Sequence, residues 1–212
     1  MITDDLLAAA QGVLPDVVEL RRDLHVHPEL GNHLPRTQGR VLEALDGLGL
    51  EISTGTALSS VVADLVGGAG DGPTILLRGD MDALPMPEDT GLDFASVVDG
   101  AMHACGHDAH TAMLVGAATV LAGRRDRLAG RVRFMFQPGE EGFGGATDMI
   151  DEGVLDGVDA AFALHVAPNM FSDFVIHRSG AALASADVVK VVVTGRGGHA
   201  SSPHWATDPV PV

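Results

Sequence analysis

Residues 102–111 read Met-His-Ala-Cys-Gly-His-Asp-Ala-His-Thr, and the rest of the chain is organised around them. This stretch holds the single cysteine of the sequence and three of its ten histidines. Thiolate and neutral imidazole bind borderline transition metals well, and the glycine between Cys105 and His107 lets the backbone fold back. Because there is no second cysteine, the pattern predicts half of a metal site whose other ligands are carboxylates and distant histidines.

Carboxylates and a further histidine follow apolar runs that have the character of buried strands. The run 134–136 leads through a Pro-Gly turn to the adjacent acids Glu140 and Glu141. His165 stands near the end of the apolar run 160–166, where an imidazole without a partner would be costly to bury. We therefore expect these strand ends to converge with the loop that carries the cysteine.

A second pair of acids, Asp80 and Asp82, follows a predicted strand at 74–78. The alternation of side chains along a strand puts both acids on the same side if the strand continues that far. Acids at the carboxyl end of a central strand lie where α/β proteins usually bind ligands. They can instead cap backbone N–H groups of a turn, or orient a metal-bound imidazole, and the residues alone leave both interpretations open.

The order of apolar patterns predicts an α/β protein. Predicted helices begin at Thr3, with a kink or restart at Pro15, at Thr37 as N-cap, at Asp108 as N-cap, and near Gly145. Predicted strands cover residues 60–66, 74–78, 131–136 and 158–166. This alternation favours a three-layer α/β/α sandwich with a mixed, largely parallel central sheet.

The residue composition of the sequence changes from Ala184 onward. A long β-branched run, 186–194, is followed by a glycine-rich turn that contains His199. We expect residues 1–183 to form one domain and residues 184–212 to begin another, which is too short to build a core of its own.

Composition argues against several classes of function. The net charge is −16, from 13 basic and 29 acidic residues, whereas nucleic-acid and anionic-membrane binding need a basic face. A single cysteine forms no internal disulfide, and the amino terminus lacks the positive region of a signal peptide. No apolar stretch approaches the roughly 18 residues that span a bilayer. These features predict a cytoplasmic protein.

Four motifs, in this order, resemble those of the M20 metallopeptidases. The resemblance is to the amidohydrolase branch, which includes hippurate hydrolases, auxin-conjugate hydrolases and N-acyl-amino-acid deacylases, and it covers essentially the whole chain. It implies a catalytic domain of the zinc-exopeptidase type and an inserted α+β domain that serves for dimerisation and as a lid. The motifs are residues 78–85, 103–108, 137–141 and 197–201.

The resemblance also implies roles for individual residues. Glu140 matches the general base, and His199 matches a lid histidine that reaches a substrate in the partner subunit. Asp82 is placed with the catalytic residues, as a partner of a metal-bound imidazole. The family's last ligand is a histidine downstream of the lid segment and has no counterpart here, so we expect an incomplete catalytic domain. The matched metal ligands are Cys105, His107, Glu141 and His165.

The implied reaction is amide hydrolysis of an N-acyl amino acid. A hydroxide would bridge two divalent ions, Zn or Mn with Co and Ni as alternatives, and Glu140 would accept the proton of the water and pass it to the leaving amine. Two other readings remain: a truncated or non-catalytic homologue that acts only by association, and a dipeptidase or carboxypeptidase on true peptides. His103 and His110 could substitute as metal ligands, but we expect them to support ligands or helix ends. We expect His25 and His27 to be hydrogen-bonded structural histidines.

Overall fold

The computed structural model describes residues 4–171, 174–181 and 189–210. Contacts between Cα atoms divide the chain into two compact units, Met1–Pro168 and Asn169–Val212. The predicted division into a catalytic domain, 1–183, and the start of a lid domain, 184–212, concerns function and stays a prediction.

The first unit alternates helices and strands, as the sequence predicts. Its helices are α1 (Asp4–Val26), α2 (Pro35–Leu45), α3 (His107–Ala122) and α4 (Gly145–Asp151), with a short 3-10 turn at Arg125–Arg127. Its strands are β1 (Glu51–Thr54), β2 (Val61–Val66), β3 (Thr74–Asp80), β4 (Arg131–Gln137) and β5 (Ala160–Ala163).

The strands form one mixed sheet in the order β1-β2-β4-β3-β5. Strand β3 runs parallel to both β4 and β5, whereas β2 pairs antiparallel with β1 and with β4. The parallel part of the sheet is therefore β4-β3-β5, and its strands all end at the same edge.

Alternate side chains of β4 reach the two faces of the sheet. Phe134 and Phe136 are fully buried in a core with Leu24 of α1, Val41 of α2 and residues of α3. Met135 points the other way and packs with Met149 of α4. Burying each of these large side chains contributes roughly 1.5–3 kcal/mol. Helices thus cover both faces, and the predicted three-layer α/β/α arrangement is confirmed.

Two predicted helix caps are wrong. Helix α2 begins at Pro35, and the buried Thr37 lies inside its first turn. The cap is the carboxylate of Glu29, which accepts the N–H groups of Arg36 at 3.2 Å and Thr37 at 2.7 Å. Proline at the first position is favoured because it has no N–H that needs a partner.

Helix α3 begins at His107, so Asp108 lies in the first turn and is not its N-cap. The preceding Gly106 has a φ of 90°, a left-handed conformation that favours glycine. The carboxylate of Asp108 points instead to α1, where it bonds Arg21 and His25.

Helix α1 continues through Pro15 and does not restart there. Proline removes one helical hydrogen bond, but the residue that loses its partner, Gln11, is exposed, so water can bind its carbonyl. The predicted cap Thr3 lies outside the described residues. Every helix in the described part of the chain is too short or too polar to cross a bilayer.

The described residues of the second unit carry little regular structure. A single antiparallel bridge joins Arg196 and Thr207, and a 3-10 turn covers Pro203–Trp205. Of the β-branched run at 186–194, residues 189–194 have no assigned secondary structure, and the remainder lies outside the described residues.

Candidate metal centre

The carboxyl ends of the three parallel strands bring the sequence-predicted residues to one edge of the sheet. Asp80 is the last residue of β3, and the loop after β4 carries Glu140 and Glu141. The predicted strand 158–166 ends at Ala163, so His165 stands two residues beyond β5. Helix α3 starts at the same edge with His107.

Among the described residues, three groups of potential ligand atoms share His107, and two of these groups contain the ligands predicted from the sequence. Cys105, His107 and His165 make one group, and His107 with Glu140 and Glu141 makes the other. Within each group the ligand atoms all lie within 4.8 Å of one another. The Cys105 Sγ atom is 3.3 Å from Nε2 of His165. The convergence that the sequence predicts therefore occurs.

His107 is fully buried and its orientation is fixed. Its Nδ1 lies 2.7 Å from the backbone carbonyl oxygen of Asp82. A carbonyl only accepts hydrogen bonds, so Nδ1 carries a proton, and in the neutral ring Nε2 keeps its lone pair. That Nε2 lies 3.9 Å from both Glu140 Oε2 and Glu141 Oε1, and 3.5 Å from Asp80 Oδ2.

Two buried atoms at the centre lack a hydrogen-bond partner among the described residues: His107 Nε2 and Glu141 Oε1, both on predicted metal ligands, beside Oδ2 of Asp80, which also lacks one. Leaving such a group unsatisfied costs about 1–3 kcal/mol. Their separation is too long for a hydrogen bond, whereas two ligands each about 2.1 Å from one ion lie about 3–4 Å apart. Imidazole, carboxylate and thiol donors together suit a divalent transition metal. The residues present therefore fit a metal ion.

Asp82 holds the ligand loops in place. Its carboxylate oxygens accept the backbone N–H groups of Glu140 at 2.9 Å and Glu141 at 3.0 Å. Burial acts to raise the pKa of Asp82, but the nearby His107 ring and the hydrogen bonds from these N–H groups outweigh it and lower the pKa. Asp82 therefore caps a turn with its carboxylate, and its backbone carbonyl orients the imidazole of His107.

The site is electrostatically acidic. Burial and the negative charges of Glu141, Glu140 and Asp80 raise the pKa of Cys105 to about 12. A thiol in this environment keeps its proton at neutral pH, and a bound cation would offset the surrounding negative charge and favour the thiolate.

Asp80 makes a buried pair that its sequence position did not reveal. Its Oδ1 lies 2.6 Å from Nδ1 of His110, and its Oδ2 lies 2.5 Å from Nη1 of Arg78. Burial acts to raise the pKa of Asp80, but His110, His107 and Arg78 outweigh it and lower the pKa to about 2. Two features of the sequence could have indicated this pair. Asp80 and Asp82 are predicted on the same side of a strand, and the helical spacing of His107 and His110 puts both rings on one face of the helix.

The other histidines are structural or lie apart from the cluster. His25 bonds Asp108 at 2.8 Å and Glu88 at 3.2 Å, and His27 contacts the backbone of Asp23. Burial lowers the pKa of His103 to about 4.

His199 belongs to the second unit. Its side chain is exposed, and its Nδ1 lies 2.8 Å from the hydroxyl of Ser201. The predicted role of His199 toward a partner subunit stays a prediction.

Together, the fold and the donor cluster are those of an α/β domain with a candidate metal centre. A model of Peptidase family M20/M25/M40 matches residues 76–206. The chain belongs to this family, which confirms the resemblance carried by the four motifs.

Curated relatives and solved structures agree with this assignment. Thermostable carboxypeptidase 1 of Saccharolobus solfataricus is 43% identical over 196 residues, which are 92% of this chain and 50% of that protein. N-acetylcysteine deacetylase of Bacillus subtilis is 43% identical over 194 residues, 92% of this chain and 51% of that protein. A Bacillus subtilis dinuclear metal binding peptidase from the M20 family superposes with a TM-score of 0.71 at 45% identity, covering 75% of this chain and 45% of that one. The chain spans about half the length of the curated relatives it matches.

Proposed function

We propose that this chain is part of a metal-dependent amidohydrolase that cleaves the amide bond of N-acyl amino acids. The observation that carries the proposal is the convergence of five side chains around two buried, unpartnered ligand atoms. These side chains are Cys105, His107, Glu140, Glu141 and His165.

In this proposal Cys105, His107, Glu141 and His165 are the residues of this chain that hold two divalent cations. When bound, such a pair acidifies a water molecule and polarises the carbonyl oxygen of a substrate. Thiolate and imidazole ligands suit Zn, and carboxylates also suit Mn, with Co and Ni as further candidates.

Glu140 moves the proton. Its Oε2 borders the ligand atoms, at 3.9 Å from His107 Nε2, and its side chain is 42% exposed, against 20% for Glu141. The more exposed carboxylate is open to a substrate, and the more buried one is left to bind metal. Glu140 accepts a proton from the attacking water and delivers it to the nitrogen of the leaving amino acid.

Asp82 keeps this carboxylate in position. It holds the N–H groups of both glutamates, and its own carbonyl orients His107. Asp82 thus fixes both the loop of the two glutamates and the ring of His107, which reduces the reorganisation that catalysis would otherwise need.

The proposal extends to the assembled protein as a homodimer. The family resemblance of residues 197–201 supports a role for His199 at a substrate held by the partner subunit. Cytoplasmic location is proposed with it, on the net charge of −16 and the single cysteine.

A second candidate is hydrolysis of true peptides. It is favoured by the relative named thermostable carboxypeptidase 1, which is as similar to this chain, at 43% identity, as the named deacetylase. Both reactions break an amide bond, so the same site residues would serve, and the substrate distinguishes the two.

The test is hydrolysis by the full-length protein, loaded with Zn or Mn, of a panel of N-acetyl and N-benzoyl amino acids and a matched panel of dipeptides. We expect the N-acyl compounds to be preferred and Glu140→Gln to lower kcat by about 10²–10⁴ with metal content unchanged. The matched control is Asp71→Asn, an exposed acid before the opposite end of β3, which should leave kcat unchanged.

Three outcomes would count against the proposal. Preference for dipeptides transfers the assignment to the peptidase candidate. No cleavage of either panel by metal-loaded protein favours a homologue that acts only by association. Full activity of Glu140→Gln removes Glu140 from the mechanism.

A further inference from the structure

The candidate ligand His165 is not positioned by the sheet. Strand β5 ends at Ala163, and among the described strands none continues the ladder past that residue. The side chain of His165 is exposed, with Nε2 directed to the thiol of Cys105 at 3.3 Å. Another contact must therefore fix this segment before His165 can serve as a ligand.

That contact is made by the next residue, Val166. Its backbone N–H donates to Nε2 of His110 at 2.9 Å. Because an N–H only donates, Nε2 of His110 is the acceptor, and the proton of the neutral ring lies on Nδ1. Nδ1 in turn donates to Oδ1 of Asp80 at 2.6 Å.

This arrangement excludes His110 as a metal ligand, although Asp80, His107 and His110 lie close enough to form a ligand group. Both ring nitrogens are already engaged, one as donor and one as acceptor. The ring is almost fully buried between β3 and α3, and Thr111 also bonds the backbone of Asp80. His110 is therefore a rigid support.

Val166 also packs on the cysteine loop. A Cβ atom on Gly106 would lie 2.2 Å from Cγ2 of Val166, so only glycine allows this approach. One residue thus connects the loop of Cys105, the start of α3 and the segment of His165.

We propose that His110 is a positioning residue, whose Nε2 fixes the amide of Val166 so that the neighbouring His165 faces the metal ligands. The inference rests on the proposed assignment of His165 as a ligand. Residues that orient metal ligands typically change metal affinity by about 10–100-fold when they are replaced.

Two amide substitutions separate the roles of the two ring nitrogens. The side-chain oxygen of His110→Gln can take the place of Nε2 and accept the Val166 N–H. The side chain of His110→Asn can take the place of Nδ1 and bond Asp80, but it does not reach Val166. The full chain is titrated with Co²⁺, whose thiolate absorption band reports the Cys105 ligand, and amide exchange of Val166 is measured on the metal-free protein.

We expect His110→Asn to lose protection of the Val166 amide and to bind Co²⁺ about 10–100-fold more weakly. His110→Gln should keep the protection of the Val166 amide and the affinity for Co²⁺ near their wild-type values. In a His165→Ala background, His110→Asn should cost no further affinity, because its effect passes through His165.

The inference is overturned if His110→Asn keeps Val166 protected and Co²⁺ affinity unchanged, or if it weakens binding equally with and without His165. It is also overturned if His110→Asn and His110→Gln both lose Co²⁺ affinity in proportion to a lowered Tm, because the loss would then reflect stability alone. If His165→Ala alone leaves affinity unchanged, the ligand assignment fails first. Failure to cleave any amide, with these affinities as expected, contradicts only the proposed function.

Discussion

At the scale of single residues, Gly106 joins backbone conformation to the metal centre. Its φ of 90° is left-handed, and a side chain there would strike Val166. Left-handed conformation costs other residues about 1–2 kcal/mol. The clash with Val166 adds a further cost, and this clash acts on the segment that carries the candidate ligand His165.

Gly106→Ala is therefore expected to weaken metal binding in addition to lowering stability. The matched control is Gly100→Ala, because Gly100 also has a positive φ, of 72°, but has no neighbour within 4 Å of the added Cβ. Both variants should lower the free energy of unfolding by about 1–2 kcal/mol or more, measured in urea. Only Gly106→Ala should reduce Co²⁺ affinity, and equal affinities would contradict the steric account.

His25 supplies a prediction about pH. The hydrogen bond to Asp108 is the main cause of a pKa raised above the ordinary 6.5, with Glu88 adding to it against the effect of burial. A pKa raised on folding stabilises the protein fully below the unfolded value of 6.5, and this stability is lost as pH rises through the folded pKa. NMR titration of the His25 ring should give a midpoint above 6.5, and Glu88→Gln should lower that midpoint. A wild-type midpoint at or below 6.5 would contradict this.

The residue types of the candidate site could be predicted, but their supports could not. Cys105, His107 and the adjacent glutamates form compact motifs whose donor chemistry is visible in the sequence. Asp80 and His110 are 30 positions apart, and His110 and Val166 are 56 apart. Such pairings depend on side-chain conformations that no local pattern specifies.

At the scale of secondary structure, the start of α2 depends on a carboxylate from outside the helix. Glu29 accepts the N–H groups of Arg36 and Thr37, which the helix leaves free at its amino end, and the first residue, Pro35, has no N–H. The helix in turn buries Val41 and Leu45 in the core.

Glu29→Ala should lower the free energy of unfolding by about 1–2 kcal/mol, because both hydrogen bonds are lost. Thr37→Val, at the position that local propensity favours as a cap, should cost less, since the hydroxyl that it removes takes no part in capping. Urea denaturation of each variant beside the exposed control Glu19→Ala measures this. A loss for Glu29→Ala no larger than that of the control would refute the capping assignment.

The wrong caps at Thr37 and Asp108 share a cause. Propensity ranks threonine and aspartate as good N-caps, but it does not register partners distant in sequence. Glu29 caps α2 from the preceding loop, and Asp108 is engaged by Arg21 and His25 of α1. The positions of β2, β3 and β4 were predicted closely because apolar runs with abrupt polar ends mark them, whereas the exposed β1 was not predicted and β5 is shorter than the predicted strand 158–166.

At the scale of the whole molecule, the alternation of helix and strand patterns along the sequence predicts the layered α/β class, but it does not predict the strand order. Strand β4 inserts between β2 and β3, although β2 and β3 are consecutive in the chain. This non-sequential order depends on pairing between strands distant in the chain, which local apolar patterns do not specify. It is also what brings the ends of β3, β4 and β5 to one edge.

The central claim is that this edge binds divalent metal, and metal content tests it most directly. Elemental analysis of the full-length protein, after exposure to Zn or Mn and removal of free ions, should find about two metals per chain. Cys105→Ala and His107→Ala should each reduce that content, while Gly100→Ala should not. A protein that retains no metal, or one in which both ligand variants still hold two ions, would contradict the account.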